Sequence, residues 1–102
     1  MEHIQIRKAI QERMEEYPDT YGDIPERIIQ GLLRYIEAGS TPGQFLRGVL
    51  ENNLAQAVTY ADKKSEQALC GLVKLITHTV PGSCWGGPEK VKRWIQKGGL
   101  DG

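Results

Sequence analysis

The sequence has few of the residues that build metal centres and disulfide frameworks. Its 102 residues include only two cysteines and two histidines. Cys70 and Cys84 lack the Cys-x-x-Cys spacing of a redox or zinc motif, and neither His3 nor His78 has a second ligand at metal spacing. Because Cys70 lies in an apolar helical run, a buried and reduced thiol is favoured over a disulfide. We therefore expect no metal and no cofactor.

The chain also lacks an excess of charge of either sign. Thirteen lysine and arginine residues balance thirteen aspartate and glutamate residues, so no overall field draws the protein to nucleic acid or to an anionic membrane. No apolar run approaches the roughly 20 residues that a membrane-spanning helix needs, and the first residues are charged, unlike a signal peptide. These absences predict a cytoplasmic protein without membrane contact.

Catalytic motifs are absent too. The sequence contains no GxxxxGK[ST], GxGxxG or GxSxG pattern. Cys84 lies in a glycine-rich loop that would suit a nucleophile, but no identifiable base accompanies it, so a structural role beside Trp85 is favoured. His78 falls near a helix end, where histidine is more typical of a partner for the last carbonyl groups than of a base. The sequence predicts a protein that is not an enzyme.

What the sequence does have is strong helical periodicity, centred on residues 24–62. Apolar residues recur there at spacings of three and four, as on one face of a helix, and Gly39 follows where a left-handed C-cap is needed. Thr41-Pro42-Gly43-Gln44 has the composition of a capping box for the next helix, which runs from Pro42 to about Asn52. The stretch predicts a helical hairpin with two apolar faces: Ile28, Ile29, Leu32, Leu33 and Ile36 on the first helix, and Phe45, Leu46, Val49 and Leu50 on the second.

Further helices are predicted on both sides of this hairpin. Residues 2–16 form the first helix, 18–22 a turn, and Asp23 with Glu26 a second capping box. After the hairpin, Asn52-Asn53 predicts an interruption, although one kinked helix over 42–61 remains an alternative. A fourth helix then buries Leu54, Ala57, Val58 and Ala61.

The last two helices complete the predicted domain. The charged segment Asp62-Lys63-Lys64-Ser65-Glu66 can cap a long helix that ends near Thr79. This helix contains the run that we expect to be most buried, residues 69–76. Residues 88–97 form a short final helix, and residues 98–102 fray. The prediction is one all-α domain over residues 1–102, a compact bundle of five or six short helices with a helical core at 24–80 around the central hairpin.

Candidate binding residues are the polar and aromatic side chains around the hairpin. Arginine, tyrosine and tryptophan anchor interfaces and stack on ligand rings. Arg34 and Tyr35 fall just off the apolar stripe, so we expect them to border the core where a groove between helices would lie. The candidate set is Arg34, Tyr35, Arg47, Asn52, Asn53, Tyr60 and Trp85.

A helix-turn-helix contact with DNA is the alternative. A recognition helix needs hydrogen-bond donors near its N-terminus, where this chain offers Gln44 and Arg47 but no basic cluster. The final helix is basic through Lys90, Lys92, Arg93 and Lys97, a pattern more typical of a solvated face. Nucleic-acid binding is therefore the less favoured prediction.

Six short segments from Ile24 onward form a distinctive pattern: Leu33-Arg34-Tyr35-Ile36-Glu37, Pro42-Gly43-Gln44-Phe45-Leu46, Val49-Leu50-Glu51-Asn52-Asn53-Leu54, Ala61-Asp62, Cys84-Trp85-Gly86 and Pro88-Glu89-Lys90-Val91. Through these segments the sequence resembles small bacteriophage and prophage proteins. The likeness implies a phage origin and no enzymatic chemistry. Small phage proteins of this kind often bind a host factor, so the resemblance implies an inhibitor of an antiviral defence component, which blocks a protein complex or sequesters a small signalling nucleotide in the host cytoplasm. A phage accessory protein that contacts DNA is the alternative, and a homo-oligomer is left open. In that group an aspartate stands at the position of Asn53, so no carboxylate role is carried over.

Overall fold

A computed structural model describes residues 3–102 and shows an all-α protein, as the periodicity predicts. Two short elements, α2 and the C-terminal 3-10 helix, were not predicted as helices, which is why the predicted number of five or six was too low. The predicted start of the first helix at residue 2 lies outside the described residues. The elements are α1 (His3–Glu16), α2 (Pro18–Tyr21), α3 (Glu26–Ala38), α4 (Gln44–Leu50), α5 (Leu54–Thr59), α6 (Lys63–Thr79), α7 (Pro88–Lys97) and the 3-10 helix (Gly99–Asp101).

Helix α3 contributes more buried residues than any other helix that the structure describes. It packs against α4 and the 3-10 helix, and Leu32, Tyr35 and Ile36 have no exposed surface. The prediction that residues 69–76 are the most buried run is wrong. Helix α6 packs mainly on α1 and α2 through one face, so Cys70 and Val73 on its other face are exposed. For the same reason Cys70, predicted to be buried, is a free and exposed thiol.

Two asparagines separate α4 from α5, so the alternative of a single kinked helix is excluded. Asn52 has a φ of 62°, and the amides of Asn52 and Asn53 donate to the carbonyls of Val49 and Gly48, the bond pattern of a Schellman motif. The Asn53 side chain then accepts a bond from the Gln56 amide at 3.1 Å and caps α5. Asparagine serves both positions because it tolerates left-handed backbone and carries an acceptor.

Helix α5 is oriented differently from the prediction. Ala57 is buried, but Leu54 and Val58 are 66% and 52% exposed. The helix approaches α4 closely: a Cβ placed on Gly48 would lie 2.6 Å from the backbone nitrogen of Ala57. Small residues at this crossing turn the apolar face of α5 partly to solvent, so the predicted burial of Leu54 and Val58 is wrong.

The predicted capping boxes do not form. Helix α4 begins at Gln44 with Gly43 in extended conformation as N-cap, and α3 begins at Glu26 with Pro25 as N-cap; neither helix has a side-chain cap. Thr41 and Asp23 each lie two residues too early in the sequence to reach the first amides.

The cap predicted within residues 62–66 is confirmed, and the structure places it at Asp62. Its carboxylate accepts a bond from the Ser65 amide at 2.8 Å. The pKa of Asp62 is lowered, first by that backbone bond, then by the Ser65 hydroxyl. Arg27 of α3 also reaches the same carboxylate, with 2.5 Å between Nη2 and Oδ2. The cap of α6 is therefore tied to α3.

Both chain segments predicted to lack regular structure are ordered against the core. Residues 18–21 form α2, where Tyr21 is buried and its hydroxyl accepts a bond from Arg13 Nε at 3.0 Å. At the other end, a Cβ on Gly99 would lie 2.5 Å from the backbone nitrogen of Gly39. Because only glycine permits this approach, the 3-10 helix packs on the end of α3, where no regular structure was predicted.

Candidate functional site

The residues predicted as one site lie in separate places, and Tyr35 lies in the core. It has no exposed surface; its hydroxyl donates to the Cys84 carbonyl at 2.5 Å and its own carbonyl accepts from Trp94 Nε1 at 3.0 Å. Burial raises the pKa of this phenol, which keeps it a neutral donor. The expectation that Tyr35 borders the core is wrong because the 81–87 loop and α7 cover a second face of α3.

Arg47 is engaged within α4. Its Nε lies 2.6 Å from Oε2 of Glu51, one helical turn away, and both side chains are largely shielded from solvent. Gln44 is engaged as well, because its backbone and side-chain oxygens both accept bonds from Gln56 Nε2, at 3.1 and 3.2 Å. Of the two side chains that the DNA alternative requires at the start of α4, Arg47 is therefore engaged through its Nε donor. Gln44 is tied to Gln56 through its oxygen atoms, which are acceptors.

Asn52, Asn53 and Trp85 surround a second cavity that is too small for most ligands. Its volume is about 80 Å³, below the roughly 300–1,000 Å³ of small-molecule sites. The backbone nitrogen of Gly86 donates to the Leu50 carbonyl at 2.7 Å and holds the loop against the end of α4. The two asparagines shape the α4–α5 turn, and Trp85 covers the packed residues beside it.

Arg34 and Tyr60 do share a site, a cleft between α3, the 40–43 linker and the start of α4. Its volume is about 320 Å³. Tyr60 is the residue after α5 and is 56% exposed. The lining combines polar side chains with an apolar floor: Arg27, Arg34, Ser40, Thr41, Gln44 and Tyr60 around Ile28, Gly31, Pro42, Gly43, Phe45 and Leu46.

The cleft is electropositive. None of its lining residues is a carboxylate. Within residues 3–102 the guanidinium of the exposed Arg34 makes no hydrogen bond or ion pair, while that of Arg27 pairs with Asp62 just outside the cleft. A free guanidinium in a water-accessible cleft is a ready donor for an anionic group.

Comparison with known proteins adds no assignment for this cleft. No protein family, curated protein or solved structure matches the chain. The interpretation of the site therefore depends on its own geometry.

Sequence reasoning missed Arg27 and Gly31, although their spacing carried a signal. Positions 27, 31 and 34 are separated by four and three residues, so they lie on one face of α3. The Nη2 atom of Arg34 is 3.9 Å from the point where a Cβ on Gly31 would stand. The charged edge of the cleft is thus a helical stripe of two arginines with a glycine between them.

A separate polar cluster joins the two ends of the chain. The guanidinium of Arg7 holds the buried carboxylate of Glu37 through two bonds of 2.7 Å, and His3 Nε2 lies 2.7 Å from Asp101 Oδ1. These contacts connect α1, α3 and the 3-10 helix. They are internal to the fold, and among the described residues no group of three or more His, Cys, Asp or Glu side chains could hold a metal ion.

In the part of the chain that the structure covers, no helix combines the length and the apolar character needed to span a bilayer.

Proposed function

We propose that the protein is a non-catalytic binding protein whose target occupies the cleft between α3 and α4, and that it serves a bacteriophage by inhibiting an antiviral defence component in the host cytoplasm. The observation that carries the binding role is the unpaired guanidinium of Arg34 in a cleft without carboxylates. The phage context and the defence target rest on the sequence pattern of residues 33–54 and 84–91.

The composition of the cleft supports binding over catalysis. Its lining holds no histidine, cysteine or carboxylate, the side chains that most often act as acids, bases or nucleophiles. What the cleft offers is guanidinium and hydroxyl donors, an amide and one aromatic ring. These groups recognise and retain a ligand without breaking its bonds.

The size of the cleft favours sequestration of a small molecule over blockage of a protein complex. About 320 Å³ falls at the lower end of the volumes of small-molecule sites. The polar lining suits a charged metabolite. We therefore favour, between the two modes of inhibition, the capture of a small signalling molecule.

Phage plating on defended bacteria tests this function. Cells that carry defence systems based on nucleotide signals would express the wild-type protein, Arg34→Ala, or the control Arg93→Ala on the exposed face of α7. We expect the wild type and Arg93→Ala to restore plaques and Arg34→Ala to lose this effect. Equal plating with the wild type and Arg34→Ala would place the functional surface elsewhere.

The DNA-binding alternative makes a different prediction. Contacts to phosphates release counterions, so affinity would fall steeply as salt rises. A titration with duplex DNA at several salt concentrations checks this directly. Since Arg47 is paired with Glu51 and the start of α4 has no basic cluster, we expect no tight complex at physiological salt.

A further inference from the structure

We propose that the cleft binds a mononucleotide that lies along α3, with its phosphate at Arg34 and its base against Tyr60 above Gly31. This inference rests on the proposed function, because it names the ligand class of the same cleft. The two ends of the cleft differ in chemistry, and each suits one part of a nucleotide.

The phosphate end is formed by α3 and the linker that follows it. The amide of Ser40 donates to the Arg34 carbonyl at 3.4 Å, which folds the linker back beside this arginine. Ser40 and Thr41 are exposed and both line the cleft. Their hydroxyls can donate to phosphate oxygens, while the guanidinium of Arg34 supplies a forked pair of donors.

The base end lies nearer the N-terminus of α3 than the phosphate end does. Arg27 is seven residues before Arg34, about 10 Å along the helix axis, and its pairing with Asp62 brings the segment after α5 to this end. Tyr60 belongs to that segment and is 56% exposed. Exposed aromatic rings stack on nucleobases without requiring a particular base.

Gly31 provides the space between the two ends. A Cβ at this position would meet only Leu46 Cδ2 at 3.7 Å and Arg34 Nη2 at 3.9 Å, both ordinary contacts. The protein itself therefore leaves room for a side chain at position 31. The absence of one lets a flat ring approach α3, above the apolar floor of Phe45 and Leu46.

Isothermal titration with AMP, GMP, CMP and UMP tests the proposal, with inorganic phosphate and adenosine as partial probes. We expect at least one mononucleotide to bind more tightly than either partial probe, because it engages both ends. Arg34→Ala should lower the affinity for that nucleotide about 10- to 100-fold, the range for losing hydrogen bonds to a charged group. The same variant should leave the affinity for adenosine unchanged. Tyr60→Ala should lower the affinities for adenosine and for the nucleotide.

Gly31→Ala separates binding from stability. Alanine is the better helix former, so this variant should melt at the same temperature as the wild type or higher. Its methyl group should nevertheless lower the affinity for the nucleotide about tenfold, because the methyl group occupies space that the base would fill. Gly82→Ala, in open space outside the cleft, is the matched control and should change neither property.

The outcomes are distinct. The ligand class is wrong if no mononucleotide binds, if inorganic phosphate binds as tightly as the nucleotides, or if Gly31→Ala leaves the affinity unchanged. In each case the plating assay still decides whether Arg34 serves the proposed function. The converse result is that nucleotide binding depends on Arg34 in vitro while Arg34→Ala still restores plaques like the wild type. That result would support the ligand class and overturn the proposed role against defence.

Discussion

A single hydroxyl group links parts of the chain that are far apart in sequence. The Tyr35 hydroxyl lies on α3, and the carbonyl that it bonds belongs to the loop before α7. Without this donor, the carbonyl oxygen of the fully buried Cys84 would lose its hydrogen bond to Tyr35. The tyrosine is therefore a structural residue, even though tyrosine is also typical of binding surfaces.

Tyr35→Phe removes only this donor. We expect the free energy of unfolding to fall by about 1–3 kcal/mol, the cost of leaving a buried polar group unsatisfied. Urea denaturation followed by circular dichroism measures the change. Tyr60→Phe removes an exposed hydroxyl and should change stability by less than about 0.5 kcal/mol, so equal effects of the two substitutions would contradict this role.

The two cysteines should differ sharply in reactivity. Cys70 is exposed and Cys84 is fully buried, and burial raises the pKa of the Cys84 thiol to about 11. Because the thiolate is the reactive form, a disulfide reagent at mildly alkaline pH should modify one thiol of the native protein rapidly. Cys70→Ser should abolish this fast phase, and a fast phase that persists would mean that Cys84 is accessible.

The caps and crossings of the helices show which local signals the sequence carries. The Asn52-Asn53 break and the Asp62 cap were predictable because the side chain and the first helical amides are adjacent in sequence. Thr41 and Asp23 are also residue types that favour an N-cap, but neither caps a helix. The backbone at Gly43 and Pro25 is still extended, so each helix starts later in the sequence. Composition predicts a helix start to within a few residues, and backbone geometry decides which residue caps it.

Paired substitutions at the ends of α4 and α5 test this distinction. Asn53→Ala removes the acceptor for the Gln56 amide and should destabilise the protein by about 0.5–2 kcal/mol. Thr41→Ala removes no cap and should cost less than about 0.5 kcal/mol. Thermal melts of both variants provide the measurement, and a larger loss for Thr41→Ala would place the start of α4 earlier.

On the scale of the whole molecule, apolar periodicity predicted the helices better than it predicted which faces are buried. Leu72 and Ile76 of α6 lie in the core as expected, whereas Leu54, Val58 and Val73 do not. A single helix shows its apolar stripe in sequence, but the neighbours that cover the stripe are set by long-range packing. The seven predicted site residues lie apart for the same reason. They are found in the core, in an ion pair on α4, around the small second cavity and in the cleft.

Leu72→Ala and Leu54→Ala compare the two kinds of leucine. The first truncates a fully buried side chain and should cost about 2–5 kcal/mol. The second truncates an exposed one and should stay within about 0.5 kcal/mol. Chemical denaturation of both variants is the measurement, and similar losses would mean that α5 is covered.

The exposure of α5 has a consequence for motion. This six-residue helix buries only Ala57, so it has little apolar contact to hold it closed. Segments of this kind open locally far more often than the whole protein unfolds. The amides of α5 should therefore exchange with solvent hydrogen much faster than those of α3. Since Tyr60 directly follows α5, a ligand stacked on its ring would slow that exchange and leave α6 unchanged, which makes the opening rate of one short helix a reporter of occupancy in the cleft.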